Sequence, residues 1–498
     1  MIEHLADGYP GQLPAVFSIL ALGFVGTYAL GIRKLSSVPA LSLGLSSAGL
    51  LATSQIVGID PVRTYLEIVA FSVLITGAVL FGRDCFFWKN LFGIYAISWF
   101  AAVLEMLSFP PQRVSEDFVW LLMDLEGETL EPSEQSRAGV LVRFLYSLGE
   151  PGEALISIAP LTMLCLIPLL LERILVFKPS SALASSLLVV TIFSAPIFFV
   201  MSSYIPSHTL VAIGIGLALS AVPGFNRQKA IQTHWGTVPI GLFLVSFGRP
   251  EGPLLSLFLT IVLVSSGRQM PMTQRVVVTG IWLLAFLTGP LPNHVAILIV
   301  PLLGVVFLAP KEATKFFQES LFHLFLLASG IWIAFRLLVS FAASIEANGT
   351  AVVANLIFGA GGWGGVLPLV LIVAIYGLGV RLSSEVKLWS RLVITSFTLT
   401  VSLKLAEGPI TSIGFHDSLT RTLFHWVVVY AALLGAVVEK FLHDVRLMAE
   451  FGPPKGVATL EPQRTREGIR LRFFASPTFF GKNRRTLEPH PSEPIDRN

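Results

Sequence analysis

Three short polar segments stand out in a chain that is otherwise apolar. The first is Ser115-Glu116-Asp117-Phe118. A carboxylate at Glu116 or Asp117 can take a proton from an acceptor hydroxyl as a general base. The same residues suit a helix start, with Ser115 as cap and the acids in the first turn. The second is Gly248-Arg249-Pro250-Glu251-Gly252. The planar fork of Arg249 matches the oxygens of a phosphate, and the plainer reading is a local Arg249–Glu251 pair closing a tight turn. The third is His416-Asp417-Ser418-Leu419-Thr420-Arg421, followed by His425. Asp417, Arg421 and His425 are spaced by four and fall on one helical stripe. Asp417 or Ser418 can cap that helix, and its deeper Arg421 can simply snorkel. Arg336 lies within an apolar run, where an unpaired charge is costly; it either pairs with a carboxylate or binds a lipid phosphate. Glu67, Glu105 and Lys404 also lie in or at the ends of such runs, and their sequence context assigns them no role.

The elements that must position these residues are membrane spans. The chain has 498 residues, 54% hydrophobic and 13% charged, where a soluble domain carries about a quarter charged residues. That excludes a water-soluble globule. A net charge of +3 gives no reason to expect a nucleic-acid partner. Cys85 and Cys165 suggest neither a disulfide framework nor a metal site. No His/Asp/Glu cluster has clear ligand spacing, so no cofactor is implied, although an acidic pair suits a divalent metal as well as a base. The N-terminal segment MIEHLADGYP is acidic and lacks the basic start of a cleaved signal peptide.

Apolar runs of bilayer length recur from about 14–31 to about 420–437. They predict an all-α polytopic transmembrane helical bundle of about 13–15 spans. Two runs, about 234–247 and 253–266, are short and flank Arg249. Ala351–Gly365 is apolar but broken by five glycines, and reads as re-entrant or a partial span. Lys and Arg recur in alternate short turns, among them Arg33, Lys34, Arg83, Arg173, Arg227, Arg268, Lys311 and Arg381, with Arg63 the exception. The positive-inside rule makes those turns cytoplasmic. The tail 438–498 holds Arg464, Arg466, Arg470, Arg472, Lys482, Arg484 and Arg485 and falls on the same side, solvated or lying on anionic lipid. The loop 109–153 is then extracytoplasmic. It is acidic, and its apolar patches Phe118–Met123 and Val140–Tyr146 read as amphipathic helices on the membrane surface. All three polar segments fall on that outer face. The sequon Asn348-Gly349-Thr350 also falls outside.

These features together resemble the GT-C glycosyltransferases, polytopic enzymes that take a sugar from a polyprenyl-phosphate donor on the non-cytoplasmic face. Three elements carry the resemblance. One is a span followed by a long outer loop with the early acidic pair Glu116-Asp117. Another is LVSFGRPEGPLLSLFL, similar to the Arg-Pro-Glu-Gly element between two apolar runs of bacterial members. The last is HDSLTRTLFHW, similar to an Asp-Ser-x-x-Arg element with a downstream histidine. The acidic element here is Glu-Asp where many members carry Asp-Asp. The resemblance spans about 88–437 and leaves 1–87 as an N-terminal three-span addition.

It implies an inverting transferase in the plasma (inner) membrane, part of the cell envelope machinery. The donor would be a polyprenyl-phosphate-linked sugar and the acceptor a glycan, lipid or protein. Asp117 or Glu116 would be the base. Arg249, Arg421, His425 and Arg336 would bind the donor phosphate, with Glu251, Asp417 and His416 orienting them. A transporter or flippase, or a non-catalytic assembly subunit, would share the many spans; internal repeats would favour transport, and the two halves show none that is convincing.

Overall fold

A computed structural model describes residues 9–32, 37–113, 116–127, 138–149, 155–174, 182–222, 236–265, 271–288, 323, 325–379, 384–414 and 417–451. These residues are helical almost throughout, and no strand occurs among them. The helices named below are α1 (Tyr9–Ala29), α2 (Val38–Val57), α3 (Ile59–Phe81), α4 (Cys85–Arg113), α5 (Glu116–Leu125), α6 (Val140–Tyr146), α7 (Ile158–Ile174), α8 (Ala182–Phe193), α9 (Pro196–Ser203), α10 (Ser207–Leu219), α11 (Thr237–Gly248), α12 (Gly252–Ser265), α13 (Met272–Thr288), α14 (Ile345–Leu356), α15 (Val366–Gly379), α16 (Ser384–Glu407), α17 (Ser418–Leu423) and α18 (Val427–Phe451).

The chain is an integral membrane protein by the length and apolarity of its helices. Among the described residues five helices are long and apolar enough to cross a bilayer, or seven if each of two bent pairs counts as one span. Several apolar runs are thus realised as short or bent helices. The run at 181–202 shows why. Pro196 has no backbone N–H to continue the ladder, so α8 stops at Phe193 and α9 leaves it at 55°. The segment Phe325–Ser340 meets Ala342–Leu356 at 89°. The run at 294–310 lies outside the described residues.

The centre of the bundle is α10, buried at every position. It packs on α7, α11 and α18. Contact with α11 is close because Gly214 and Gly241 face each other: a Cβ on Gly214 would lie 2.6 Å from the Gly241 carbonyl oxygen, and one on Gly241 2.5 Å from that of Gly214. Small residues at a crossing let two helix backbones meet in this way. The first helices are no separate layer: α2 packs on α6, α7, α10 and α11, and Val16 through Ala436 contribute to one apolar core. By contrast α3 is buried only along Val62, Leu66, Ala70 and Gly77, which recur about once per turn. Tyr65, Phe71, Ile75 and Val79 are exposed on its other face, as a lipid-facing helix requires.

The loop 109–153 contains the two expected helices, α5 and α6. The apolar residues of α6 do not lie on a membrane surface, however. Leu141, Val142, Phe144, Leu145 and Tyr146 are buried, and α6 packs on α2 and α11. The reason is a backbone tie. Gly139 N–H donates to the Gly248 carbonyl at 3.2 Å, and a Cβ on Gly139 would meet Phe247 O at 2.3 Å and Arg249 N at 2.6 Å. Phe118 of α5 then stacks edge-on against Tyr146, ring centroids 5.8 Å apart, and Arg143 pairs with Asp124 at 3.1 Å. At the other end of the chain α18 runs to Phe451, so the polar tail expected from 438 begins as helix; 452–498 lie outside the described residues.

Candidate functional site

Four breaks in the helical bundle bring polar side chains together. At the first, α11 ends at Gly248. Arg249 is extended, with φ −147° and ψ 158°, as a residue before proline prefers. Gly252 N–H closes the turn on the Arg249 carbonyl at 3.0 Å. Here α12 folds back along α11, with Ser246 Oγ donating to Ser256 Oγ at 2.8 Å. The turn leaves the Arg249 side chain 4% exposed. Its Nε donates to Glu251 Oε1 at 2.7 Å.

At the second break α9 stops at Ser203 and α10 starts at Ser207; Tyr204 lies in the extended link and His208 in the first turn of α10. At the third, Asp417 caps α17. Its carboxylate accepts from Leu419 N, Thr420 N and Thr420 Oγ1 at 3.3, 2.9 and 2.9 Å. The cap starts a helix that turns through Phe424–Trp426 into α18 and presents Arg421 and His425 on one face. The fourth is the start of α5, which carries Asp117.

These side chains form two hydrogen-bonded groups that meet where the Tyr204 ring lies beside His208, with ring centroids 6.3 Å apart. Asp117 Oδ2 accepts from Arg421 at 2.9 Å and from the Tyr204 hydroxyl, which itself accepts from Arg421. The Arg421 guanidinium lies 4.7 Å from the Tyr204 ring centroid. One turn on, His208 stacks on His425 with centroids 4.9 Å apart, and its Nδ1 lies 3.0 Å from His425 Nε2. His208 Nε2 lies 2.8 Å from Arg249, which also donates to Ser207 Oγ at 3.4 Å. Lys404 of α16 is 3% exposed, pairs with Glu407 at 2.9 Å and acts electrostatically on both Arg249 and Glu251. Each cation thus has a carboxylate: Arg421 with Asp117, Arg249 with Glu251, Lys404 with Glu407. An anionic ligand would have to compete with a carboxylate for its arginine.

Asp117, Arg249, Glu251, Arg421 and His425 are therefore brought together. Asp417 is not; its carboxylate serves the α17 N-terminus. Arg336 stands elsewhere, donating from Nε to the Leu405 carbonyl at 2.8 Å with its guanidinium 4.4 Å from the Phe341 ring centroid and 5.5 Å from that of Trp332. It has found a backbone carbonyl and two ring faces rather than a carboxylate. Glu116 is in α5, and its side chain, like all of His416, lies outside what is described. Among the described residues no cluster of His, Cys, Asp or Glu suits a metal ion.

Tyr204 and His208 join these residues by hydrogen bonds and Lys404 by its charge; the first two were not among the residues that the sequence singled out. The signal was there: Tyr204-Ile205-Pro206-Ser207-His208 interrupts two apolar runs, and an intramembrane histidine is rare.

Two further polar devices hold the third break in place. Asn355 of α14 accepts from Gly414 N at 2.8 Å and donates to the Ser412 carbonyl at 2.9 Å. The sequon residue Asn348 is 1% exposed, donates to the Ser344 carbonyl at 2.9 Å and accepts from Ile410 N, so in this fold it is an internal tie and offers no glycan acceptor. The glycine-rich 359–365 segment is a chain of turns rather than a span, with Gly359, Gly362 and Gly364 at positive φ. It buries Trp363, whose Nε1 donates to the Thr420 carbonyl at 3.2 Å. No family model matches this chain, no curated protein matches it in sequence, and no solved structure matches its fold.

Proposed function

We propose that the protein is a membrane glycosyltransferase that moves a sugar from a polyprenyl-phosphate donor to an acceptor hydroxyl on the extracytoplasmic face of the plasma membrane. One observation carries the reading: Asp117 and Arg421, 304 residues apart in sequence, are in contact, and Tyr204 and His208 extend that contact to His425, Arg249 and Glu251. A carboxylate that can act as general base and several phosphate-matching cations stand in one largely buried group, the arrangement a single displacement would use. The resemblance of the three segments to GT-C enzymes points the same way. The C-terminal tail then lies in the cytoplasm, and the partners are the lipid-linked sugar, a glycan, lipid or protein acceptor, and the surrounding bilayer. A divalent metal is not part of the proposal.

In this reaction the acceptor oxygen attacks the anomeric carbon through an oxocarbenium-like transition state. The bond from that carbon to the donor phosphate breaks, and the lipid phosphate leaves with the electron pair. Both bonds to Asp117 end on Oδ2, which leaves Oδ1 to take the acceptor's proton. Arg421 and Arg249 neutralise the charge gathering on the phosphate; fixed cations in a water-poor site are often the largest contribution to such a step. Glu251 orients Arg249. Asp117→Asn should lower turnover by roughly 10²- to 10⁴-fold, the usual scale for a lost general base, and leave thermal unfolding near wild type. Purified protein in lipid nanodiscs, supplied with polyprenyl-phosphate sugars, tests this. Wild-type turnover by Asp117→Asn would remove Asp117 from the mechanism.

A second reading, proton-coupled transport, is favoured by the stacked His208–His425 pair, since histidine and carboxylate chains within a membrane also mark proton relays. Substrate uptake into proteoliposomes without any glycosyl transfer would select it.

A further inference from the structure

The hydrogen bonds around the two histidines run in one direction. A guanidinium has only N–H donors. His208 Nε2, 2.8 Å from Arg249, therefore accepts. In the neutral ring the proton then sits on His208 Nδ1, which donates across 3.0 Å to His425 Nε2. His425 Nε2 is thereby an acceptor, and its own proton is fixed on Nδ1. That Nδ1 is fully buried and has no hydrogen-bond partner among the described residues. A buried donor without a partner costs about 1–3 kcal/mol, so the fold holds this N–H at a cost and in a set orientation.

We propose that His425 Nδ1–H is the donor of an oxyanion-binding site, and that His208 is the positioning residue that aims it. The chemistry of the surroundings selects the ligand. An N–H requires an acceptor. Arg249 and Lys404 both act on His425, against Glu251, and Arg421 lies one helical turn away; each of these cations is held by a side-chain carboxylate that an anionic ligand can replace, so the acceptor that fits carries negative charge. The Phe424–Trp426 turn that carries His425 packs on α10, α17 and α18 within a bundle of apolar helices, which suits a phosphate carried by a lipid better than one free in water. On the glycosyl-transfer reading this oxyanion is the donor's phosphate; the tautomer itself does not depend on that reading.

The test uses the full chain in lipid nanodiscs, labelled with ¹⁵N-histidine, with His425 assigned by the signal lost in His425→Asn. The expected spectrum shows His208 and His425 both protonated at Nδ1 and unprotonated at Nε2. Farnesyl phosphate should then shift the His425 Nδ1 signal. Inorganic phosphate producing the same shift at similar concentration would assign the site to the phosphate group alone; a response to farnesyl phosphate only would assign it to a lipid-borne one. His208→Leu should release the tautomer and weaken phosphate binding roughly 10- to 100-fold, the worth of one charge-assisted hydrogen bond. His208→Asn, whose amide nitrogen stands where Nδ1 stood, should restore most of it. His208→Gln, whose nitrogen stands at the Nε2 position, should not. Protonation of His425 at Nε2, equal phosphate binding by His208→Leu, or equal rescue by Asn and Gln overturns the inference. A correct tautomer with phosphate binding but no turnover of any polyprenyl-phosphate sugar leaves it standing and removes the transferase reading instead.

Discussion

Two arginines lie in apolar helical surroundings and are held in opposite ways. Arg249 is held by side chains alone: Glu251, Ser207 and His208. Arg336 is held by the Leu405 carbonyl and by the faces of Phe341 and Trp332. A backbone carbonyl and a ring packed in place cannot exchange partners without distorting the fold. Side-chain carboxylates and imidazoles can turn through a rotamer and yield to a ligand. The first arrangement is suited to binding, the second to fixing α16 against its neighbour. An intramembrane charge thus marks a site only when its partners are themselves able to move.

The largest expected effect falls on the exchangeable arginine. Arg249→Met strips Glu251 of its buried partner, and breaking such a pair from one side typically costs about 3–5 kcal/mol. Thermal unfolding in detergent should show a large loss of stability. Arg249→Met combined with Glu251→Gln should recover most of it, because the uncompensated charge is gone. If single and double variants are equally unstable, the pair is not what holds this turn. Next in size is Gly139→Ala, which tests whether the 109–153 loop is docked through its backbone. The new methyl would meet the backbone of Phe247 and Arg249 well inside contact distance, and overpacking of this kind costs roughly 1–3 kcal/mol. Limited proteolysis should then cut the loop faster, while thermal unfolding of the α10–α11 pair changes little.

The sequence carried the helical fold because apolar length and proline punctuation are local properties. It carried Asp117, Arg249, Glu251, Arg421 and His425 because charge is costly in an apolar run and therefore stands out. It could not carry their contacts. Arg421 meets Asp117 in a frame where Gly139 ties the loop to Gly248 and Trp363 seats the glycine-rich turns on α17, and both ties join residues distant in the chain. Arg336 shows the converse. Its sequence surroundings are as apolar as those of Arg249, yet a carbonyl at the end of α16 satisfies it, and carbonyl positions are invisible until helices are placed. The inward face of α6 was hidden for the same reason: a buried stripe facing protein and one facing lipid have the same periodicity.

A smaller effect is expected at Tyr204. Tyr204→Phe keeps the ring beneath the Arg421 guanidinium and removes only the hydroxyl shared with Asp117. Stability should fall by about 0.5–1.5 kcal/mol, the net worth of a typical hydrogen bond. Turnover should fall more than stability does if the hydroxyl orients Asp117. Equal turnover would make Tyr204 a packing residue and move the boundary of the site to the Asp117–Arg421 pair.

The comparison is sharpest at Arg336, where the smallest effect is expected. Arg336→Met removes one hydrogen bond to the Leu405 carbonyl and the ring contacts, but strands no carboxylate, and a methionine stem can still pack on Trp332 and Phe341. The loss should be about 1 kcal/mol, visible as a modest drop in unfolding temperature. Binding of farnesyl phosphate should stay within a factor of about two, well under the tenfold that 1.4 kcal/mol represents. Arg249→Met should lose that binding outright. Should the two variants weaken phosphate binding alike, Arg336 belongs to the same site. Partner exchangeability would then fail as the criterion that separates a binding arginine from a structural one.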